Sequence, residues 1–526
     1  MTWSISNSVS AAKSDTPQAG RPSRRVSRML VVGVVVTLVG CWLLVLGLPA
    51  HVRAGRLVGA NRPVNEGAAD PRDISANNSP SLAANPVDRD NLALANRIDL
   101  PQFSCALHVT FDAGERWTTV PVPFPEGEEA PARCYAPDVA YASDGTLYVS
   151  YVTLKGVGNS PNALWVVSST DGGRTVSTPV RVTGRLAFQA RLSIDRTRPD
   201  RLYLSWLQAD EVGTGLFPTT GNPIEMARSD DHGATWGPAV RVSPVGRERV
   251  VAPTPAAGPD GHLSILYLDV GDDRLDYNGG HEGRGGEPYS GTWSLVLARS
   301  DDEGRSWQET VVDPALKPTQ RFVAFLPPLP ALAVDPKSGT MYVAFSDGRL
   351  GDPDVLVWAS ADGGRSFRPG RRVNDTPAHD GTAQYLPQLA VAPNGRLDVL
   401  YYDRGDDPAN IMNGVSLQSS SDQGRTFSPR VKVSDRLFDS RVGFGSERDF
   451  ADLGSRLALV STTKGALAVW TDTRAGTDVT GKQDLGSAMV VAASRSTRWW
   501  LRGLGLFLVL AGVAGVAGWR GSRGPE

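Results

Sequence analysis

One eight-residue turn recurs along the chain, and its spacing limits the folds open to it. It reads Ser169-Thr-Asp171-Gly-Gly173-Arg-Thr175-Val176 and returns as Ser229-Asp-Asp231-His-Gly233-Ala-Thr235-Trp236. Three more copies follow: Ser300-Asp-Asp302-Glu-Gly304-Arg-Ser306-Trp307, Ser360-Ala-Asp362-Gly-Gly364-Arg-Ser366-Phe367 and Ser420-Ser-Asp422-Gln-Gly424-Arg-Thr426-Phe427. A degenerate copy, Thr110-Phe-Asp112-Ala-Gly114-Glu-Arg116-Trp117, precedes them. The six aspartates are spaced by 59, 60, 71, 60 and 60 residues. A period held over six copies marks a repeat architecture. Within the turn, Asp accepts hydrogen bonds from its own loop and Gly permits positive φ. The aromatic is expected to bury between neighbouring units.

Each turn lies between two strand-like runs, and a second hairpin precedes it. Examples are Gly145-Thr-Leu-Tyr-Val-Ser-Tyr151, Gly339-Thr-Met-Tyr-Val-Ala-Phe345 and Gly395-Arg-Leu-Asp-Val-Leu-Tyr401. Alternation with Gly turns predicts four strands per unit. Radial repetition of four-stranded sheets makes a β-propeller. With 56 Gly and 38 Pro, the chain is turn-rich, which suits short strands better than a helical bundle. Lys and Arg number 54 against 56 Asp and Glu. The absence of a basic excess argues against a nucleic-acid partner.

The turns resemble the Asp boxes, or BNR repeats, of the sialidase (neuraminidase) superfamily, over about residues 100–495. The resemblance implies an all-β fold, a six-bladed propeller of four-stranded blades. It also implies a mainly structural role for the boxes, away from any active site. The last unit, about 451–494, shows only three strand-like runs. The run near 117–122 is expected to supply its fourth strand and close the ring.

Two apolar segments frame this globule. Residues 29–50 carry no charge and follow Arg21, Arg24, Arg25 and Arg28. They read as a transmembrane anchor, or as a signal peptide, behind a cytoplasmic basic tail at 1–28. Residues 499–519 read as a second transmembrane helix, followed by a tail at 520–526. Residues 51–99, rich in Ala, Asn, Pro and Asp, read as a flexible linker. The propeller is then expected outside the cytoplasm at the cell membrane. There Cys105 and Cys134 form a disulfide or remain two free thiols.

If an Asp box joins strands three and four, the loops between strands two and three lie on the opposite face. A ligand site is expected there. The longer interval, across residues 271–289, places a Gly-rich acidic insertion on that face as a lid, a recognition loop or plain surface. A second recurrence follows strand two: Asp347 with Arg349, Asp403 with Arg404, and Asp472 with Arg474. These pairs either rigidify their loops or ring the channel and clamp an anionic sugar.

Sialidases use three Arg on the substrate carboxylate, a Tyr nucleophile helped by a Glu, and an Asp acid/base. The resemblance makes Arg321 and Arg441 the clamp candidates. It makes Glu447, beside Tyr385 or Tyr402, and Asp138 the catalytic candidates. The family's Phe/Tyr-Arg-Ile-Pro motif is matched only by the Arg-Ile pair of Asn96-Arg97-Ile98-Asp99-Leu100-Pro101. That pair lies 15 residues before Asp112, which reads as too close for a separate strand. Three functions stay open: a glycan- or ligand-binding propeller, an exo-α-sialidase or related glycoside hydrolase, and a scaffold for a membrane complex. No cofactor or metal motif is present, and the six His are scattered.

Overall fold

The computed structural model describes residues 56–492, apart from 71, 185, 211–220, 248, 274–288, 320–328 and 444–452. It also describes helical residues within 31–41 and 504–514. Residues 56–492 form one compact unit.

The described residues make seven antiparallel sheets, one more than the repeat count predicts. Blade one is Asn77–Ala84, Leu92–Ile98, Ser104–Thr110 and Thr118–Val120. Blade two is Cys134–Tyr141, Leu147–Lys155, Ser160–Ser169 and Val180–Thr183. Blade three is Ala187–Ile194, Leu202–Gln208, Ile224–Ser229 and Val240–Arg241. Blade four is Val250–Ala257, Leu263–Asp269, Trp293–Ser300 and Gln308–Leu316. Blade five is Ala331–Val334, Met341–Asp347, Asp354–Ser360 and Arg371–Arg372. Blade six is Gln384–Val391, Leu397–Asp403, Met412–Ser420 and Val431–Lys432. Blade seven takes Ala458–Ser461, Gly465–Asp472 and Asp484–Ala492 from the C-terminal end, and its outer strand, Arg56–Val58, from the N-terminal end. The first strand of each blade packs on that of the next, and blade seven returns to blade one.

The six-bladed expectation is therefore corrected, as are two readings beneath it. The segment taken as a flexible linker holds the closing strand and the first two strands of blade one. Its polar sequence, NNSPSLAA over Asn77–Ala84, hides the alternation by which the other strands show themselves. Thr118–Val120, expected to close the ring, is instead the outer strand of a complete blade one. The flanking transmembrane helices are corrected too. Among the described residues no helix is long and apolar enough to cross a membrane. Of the two expected spans, residues 29–30, 33, 40, 42–50, 499–503, 505 and 515–519 lie outside those described.

The Asp boxes join strands three and four of blades one to six. In each complete copy the Ser hydroxyl donates to Asp and takes the amide of the second Gly position, as Ser360 does with Asp362 at 2.7 Å and Gly364 at 2.8 Å. Asp362 in turn takes the Ser366 amide at 2.9 Å and its hydroxyl at 2.6 Å. At Asp302 the Ser306 hydroxyl and amide hold the carboxyl down to about 2. Gly364 sits at φ +87° with Leu297 of blade four where a Cβ would be, so the box locks its own blade onto the preceding one.

Ring closure is reinforced by a buried polar latch. Asn65 donates to Asp484 at 2.9 Å and takes the Leu485 amide at 2.7 Å. The Lys482 ammonium donates to the Gly67, Ala68 and Asp70 carbonyls at 2.9, 3.3 and 3.0 Å. Burial pushes the Asp484 carboxyl up to about 6, against the Asn65 amide and Lys482, with Asp73 and Asp472 adding to the rise. A carboxyl that holds its proton more tightly when folded contributes stability below its unfolded value near 4, and loses that contribution as pH rises through about 6. Asp484→Asn is thus expected to raise stability at pH 7.5 by about 1–2 kcal/mol. The gain should vanish near pH 4, as thermal melts of the two proteins across that range would read.

Candidate functional site

A bulge recurs where the inner strands begin, on the face opposite the Asp boxes. The register shifts at Asn78/Ser81, Tyr135/Asp138, Phe188/Arg191, Val251/Thr254 and Tyr385/Gln388. A residue of positive φ sits in each: Ser79, Ala136, Gln189, Ala252 and Leu386. The extra residue re-aims the side chain that follows it. That position holds Ser81, Asp138, Arg191, Thr254 and Gln388. Arg456 of blade seven stands two residues after Gly454, which also has positive φ. These polar side chains tie blade to blade. Ser81 takes the Val139 amide, Asp138 the Leu192 amide, and Gln388 donates to the Leu457 carbonyl.

Charge collects in one sector of this ring, around blades seven, one, two and three. Asp138, 1% exposed, takes hydrogen bonds from the Ser81 hydroxyl, from Arg191 Nε at 3.0 Å and from the Leu192 amide at 2.9 Å. Arg456 reaches over from blade seven. It donates to the Pro80 and Pro137 carbonyls and comes within 4.0 Å of Asp138. Burial and the like charge of Arg191, with Arg97 adding to them and Asp138 opposing, push the Arg456 guanidinium down to about 9. Arg97 stands at the end of the second strand of blade one, held by Asp99 at 2.6 Å. It therefore does occupy a separate strand, contrary to the reading from its distance to Asp112.

Tyr135, beside Asp138's bulge, completes the group. Its hydroxyl takes the Gln189 amide at 3.2 Å. Burial pushes that hydroxyl up, against the Gln189 bond and the charges of Arg97 and Arg456. Among the described residues, three guanidiniums from three blades thus gather with two carboxylates, Asp99 and Asp138, around one tyrosine. Such an arrangement can take a further anion. Guanidiniums offer paired donors in the plane a carboxylate needs.

Of the described residues singled out from the sequence, Asp138 and the Arg97 of the Arg-Ile pair fall in this cluster, and the others stand elsewhere. Arg321 and Glu447 lie outside the described residues, as does most of the acidic insertion, 274–288. Arg441 is exposed and pairs with Asp439 of its own loop at 2.7 Å. Tyr385 and Tyr402 are buried, their ring centroids 5.4 Å apart. Tyr385 donates to Asn413 at 2.6 Å and Tyr402 to the Thr471 carbonyl at 3.2 Å. Burial pushes both hydroxyls up.

The recurrent Asp and Arg after strand two divide. Asp347 pairs with Arg349 at 2.7 Å, and Asp472 with Arg474 through the Arg474 Nε, also at 2.7 Å. Asp403 instead pairs with Arg430 at 2.7 Å. Arg404 donates to Asn413 and Ser440 and lies 5.6 Å from the Tyr385 ring centroid. The three aspartates are each paired within their own blade or loop, whereas Arg349 also reaches Asp313 of blade four at 3.0 Å. Sequence reasoning missed Tyr135 and Arg456. The signal that could have found Arg456 is its column: aligning the inner strands on their bulges sets it beside Asp138 and Arg191.

No family model matches the chain, and no curated protein matches it. Solved structures do. The phage phi92 endosialidase aligns with a TM-score of 0.47 at 10% identity, over 83% of this chain and 70% of its own. A Hadza microbial sialidase aligns at 0.41 and 14%, over 77% and 74%. An α-L-arabinofuranosidase of Fusarium graminearum aligns at 0.44 and 14%, over 69% and 98%. The chain is a β-propeller. These likenesses concern the fold and carry nothing about its chemistry, but they include the sialidases that the Asp boxes resemble.

Proposed function

We propose that the protein binds an anionic glycan, one bearing a carboxylate, at the mouth of the channel on the face opposite the Asp boxes. The observation behind this reading is the convergence, among the described residues, of three guanidiniums in a nearly buried cluster. Arg97, Arg191 and Arg456 converge from three blades, and burial, followed by the like charge of Arg191, pushes the Arg456 guanidinium down against Asp138. A ligand carboxylate would relieve that repulsion. The Cys105–Cys134 disulfide supports a working place outside the reducing cytoplasm.

A glycoside-hydrolase reading is favoured by Tyr135, which stands between arginines and beside an Asp, as a nucleophile would. Against it, the bond shown for the Tyr135 hydroxyl comes from a backbone amide, and Asp138 is engaged as a fixed counter-ion. Binding without turnover is the reading preferred.

The test is titration calorimetry with N-acetylneuraminic acid and with its methyl ester. The acid is expected to bind and the uncharged ester to bind at least tenfold more weakly. Affinity for the acid should also fall with added salt. Equal binding of acid and ester would overturn the reading. Release of fluorophore from an α-sialoside by the same protein would favour the hydrolase.

A further inference from the structure

The Cys105–Cys134 disulfide joins strand three of blade one to the inner strand of blade two. Its two ends meet the cluster directly. Cys105 is the cross-strand partner of Arg97 in the register of blade one, so the two side chains stand on one face of the sheet. That face is the one turned to blade two. Ala93 and Ala95, which precede Arg97 at alternate positions, pack with Val139, Leu147 and Val149 of blade two. Cys134 immediately precedes Tyr135, and the bulge that aims Asp138 begins there. The cross-link therefore spans the seam over which Arg97 of blade one faces Tyr135 of blade two.

We propose that this disulfide is a positioning pair for the anion site, and that its reduction weakens ligand binding while the propeller stays folded. The inference rests on the binding site proposed above. Each cysteine strand is also held by its own ladder, Ser104–Thr110 between two neighbours and Cys134–Tyr141 along Leu147–Lys155. Losing the link loosens the seam and leaves the blades. A dithiol reductant carries out the change: it gives two electrons and two protons to the disulfide, yields two cysteine thiols, and becomes a disulfide itself. Restoring the bond requires an oxidant of the reverse kind, a second disulfide. The site would then be active in an oxidising compartment and weakened in a reducing one.

The experiment compares the full oxidised chain, the same protein reduced by a phosphine without denaturant, and the Cys105→Ser/Cys134→Ser double variant. The first readout needs no ligand. Backbone hydrogen exchange is expected to quicken tenfold or more in Leu92–Ile98 and Cys134–Tyr141 on reduction, with blades four to six unchanged. The second is calorimetric affinity for N-acetylneuraminic acid, expected to fall at least fivefold. Asp231→Ala, which breaks an Asp box on the other face, serves as the structural control: its melting temperature should fall while its affinity holds.

Unchanged exchange in those two strands would overturn the proposal. So would an affinity loss no greater than that of Asp231→Ala. If the double variant fails to fold, the reduced wild-type protein gives both readouts. If the oxidised protein binds no carboxylated sugar, the binding-site reading fails, and the exchange result alone still decides whether the disulfide orders this seam.

Discussion

Removing residues 56–64 from the full chain is expected to open the ring and take most of its stability away. The deletion strips the outer strand from blade seven, whose Asp484–Ala492 strand pairs with Arg56–Val58 and Arg62–Pro63. It also removes backbone bonds from Gly59 to Met489 and from Val64 to Leu485, and the buried Val64 side chain. Net contributions of about 1 kcal/mol per hydrogen bond bring the loss to about 5 kcal/mol or more, comparable to the whole stability of many domains. The bared strand is a further hazard, because an unpaired edge invites association between molecules. Thermal melts with light scattering would show a fall of 10 °C or more, or aggregation before melting. A melt within about 2 °C of the wild type would mean that the N-terminal strand is not what closes the ring.

Arg456→Met is expected to weaken anion binding severely without lowering the melting temperature. The guanidinium is 7% exposed, and burial and its neighbours' charge both oppose it. A buried charge replaced by an apolar side chain of similar length is often neutral or stabilising. Here the substitution also frees two carbonyls, Pro80 and Pro137, which offsets part of the gain. The affinity for a carboxylated sugar should fall a hundredfold or more, about 2.7 kcal/mol. A side chain that costs stability where it stands and is needed for binding marks a functional site. A melting temperature lowered by several degrees would assign Arg456 to the architecture instead.

The Asp boxes could be read without a structure because their chemistry is local. Ser360, Asp362, Gly364 and Ser366 satisfy one another within seven residues. Blade one escaped because its inner strand, Asn77–Ala84, is polar and proline-containing, and its alternation does not show. The closing strand escaped because it is three residues long and its partner lies at the other end of the chain. Those two features together hide the seventh blade in the sequence.

The site escaped for a different reason. Arg456 bonds to carbonyls 376 and 319 residues away, and Arg191 meets Asp138 across 53. Such pairings leave no local pattern. Asp138 was recognisable only from its place in the blade, and Arg97 only from the Arg-Ile pair. The Asp and Arg recurrence after strand two was conspicuous in sequence and proved to be mostly self-neutralising, as with Asp347 and Arg349.

Calorimetry on two single variants tests most directly where the anion binds. N-acetylneuraminic acid would be titrated into wild-type protein, Arg456→Met and Arg441→Ala. Arg441 is exposed and paired with Asp439, outside the cluster. Binding lost in Arg456→Met and kept in Arg441→Ala is the expected result. Binding kept in Arg456→Met, or lost in Arg441→Ala instead, would contradict the placement of the site at the channel mouth.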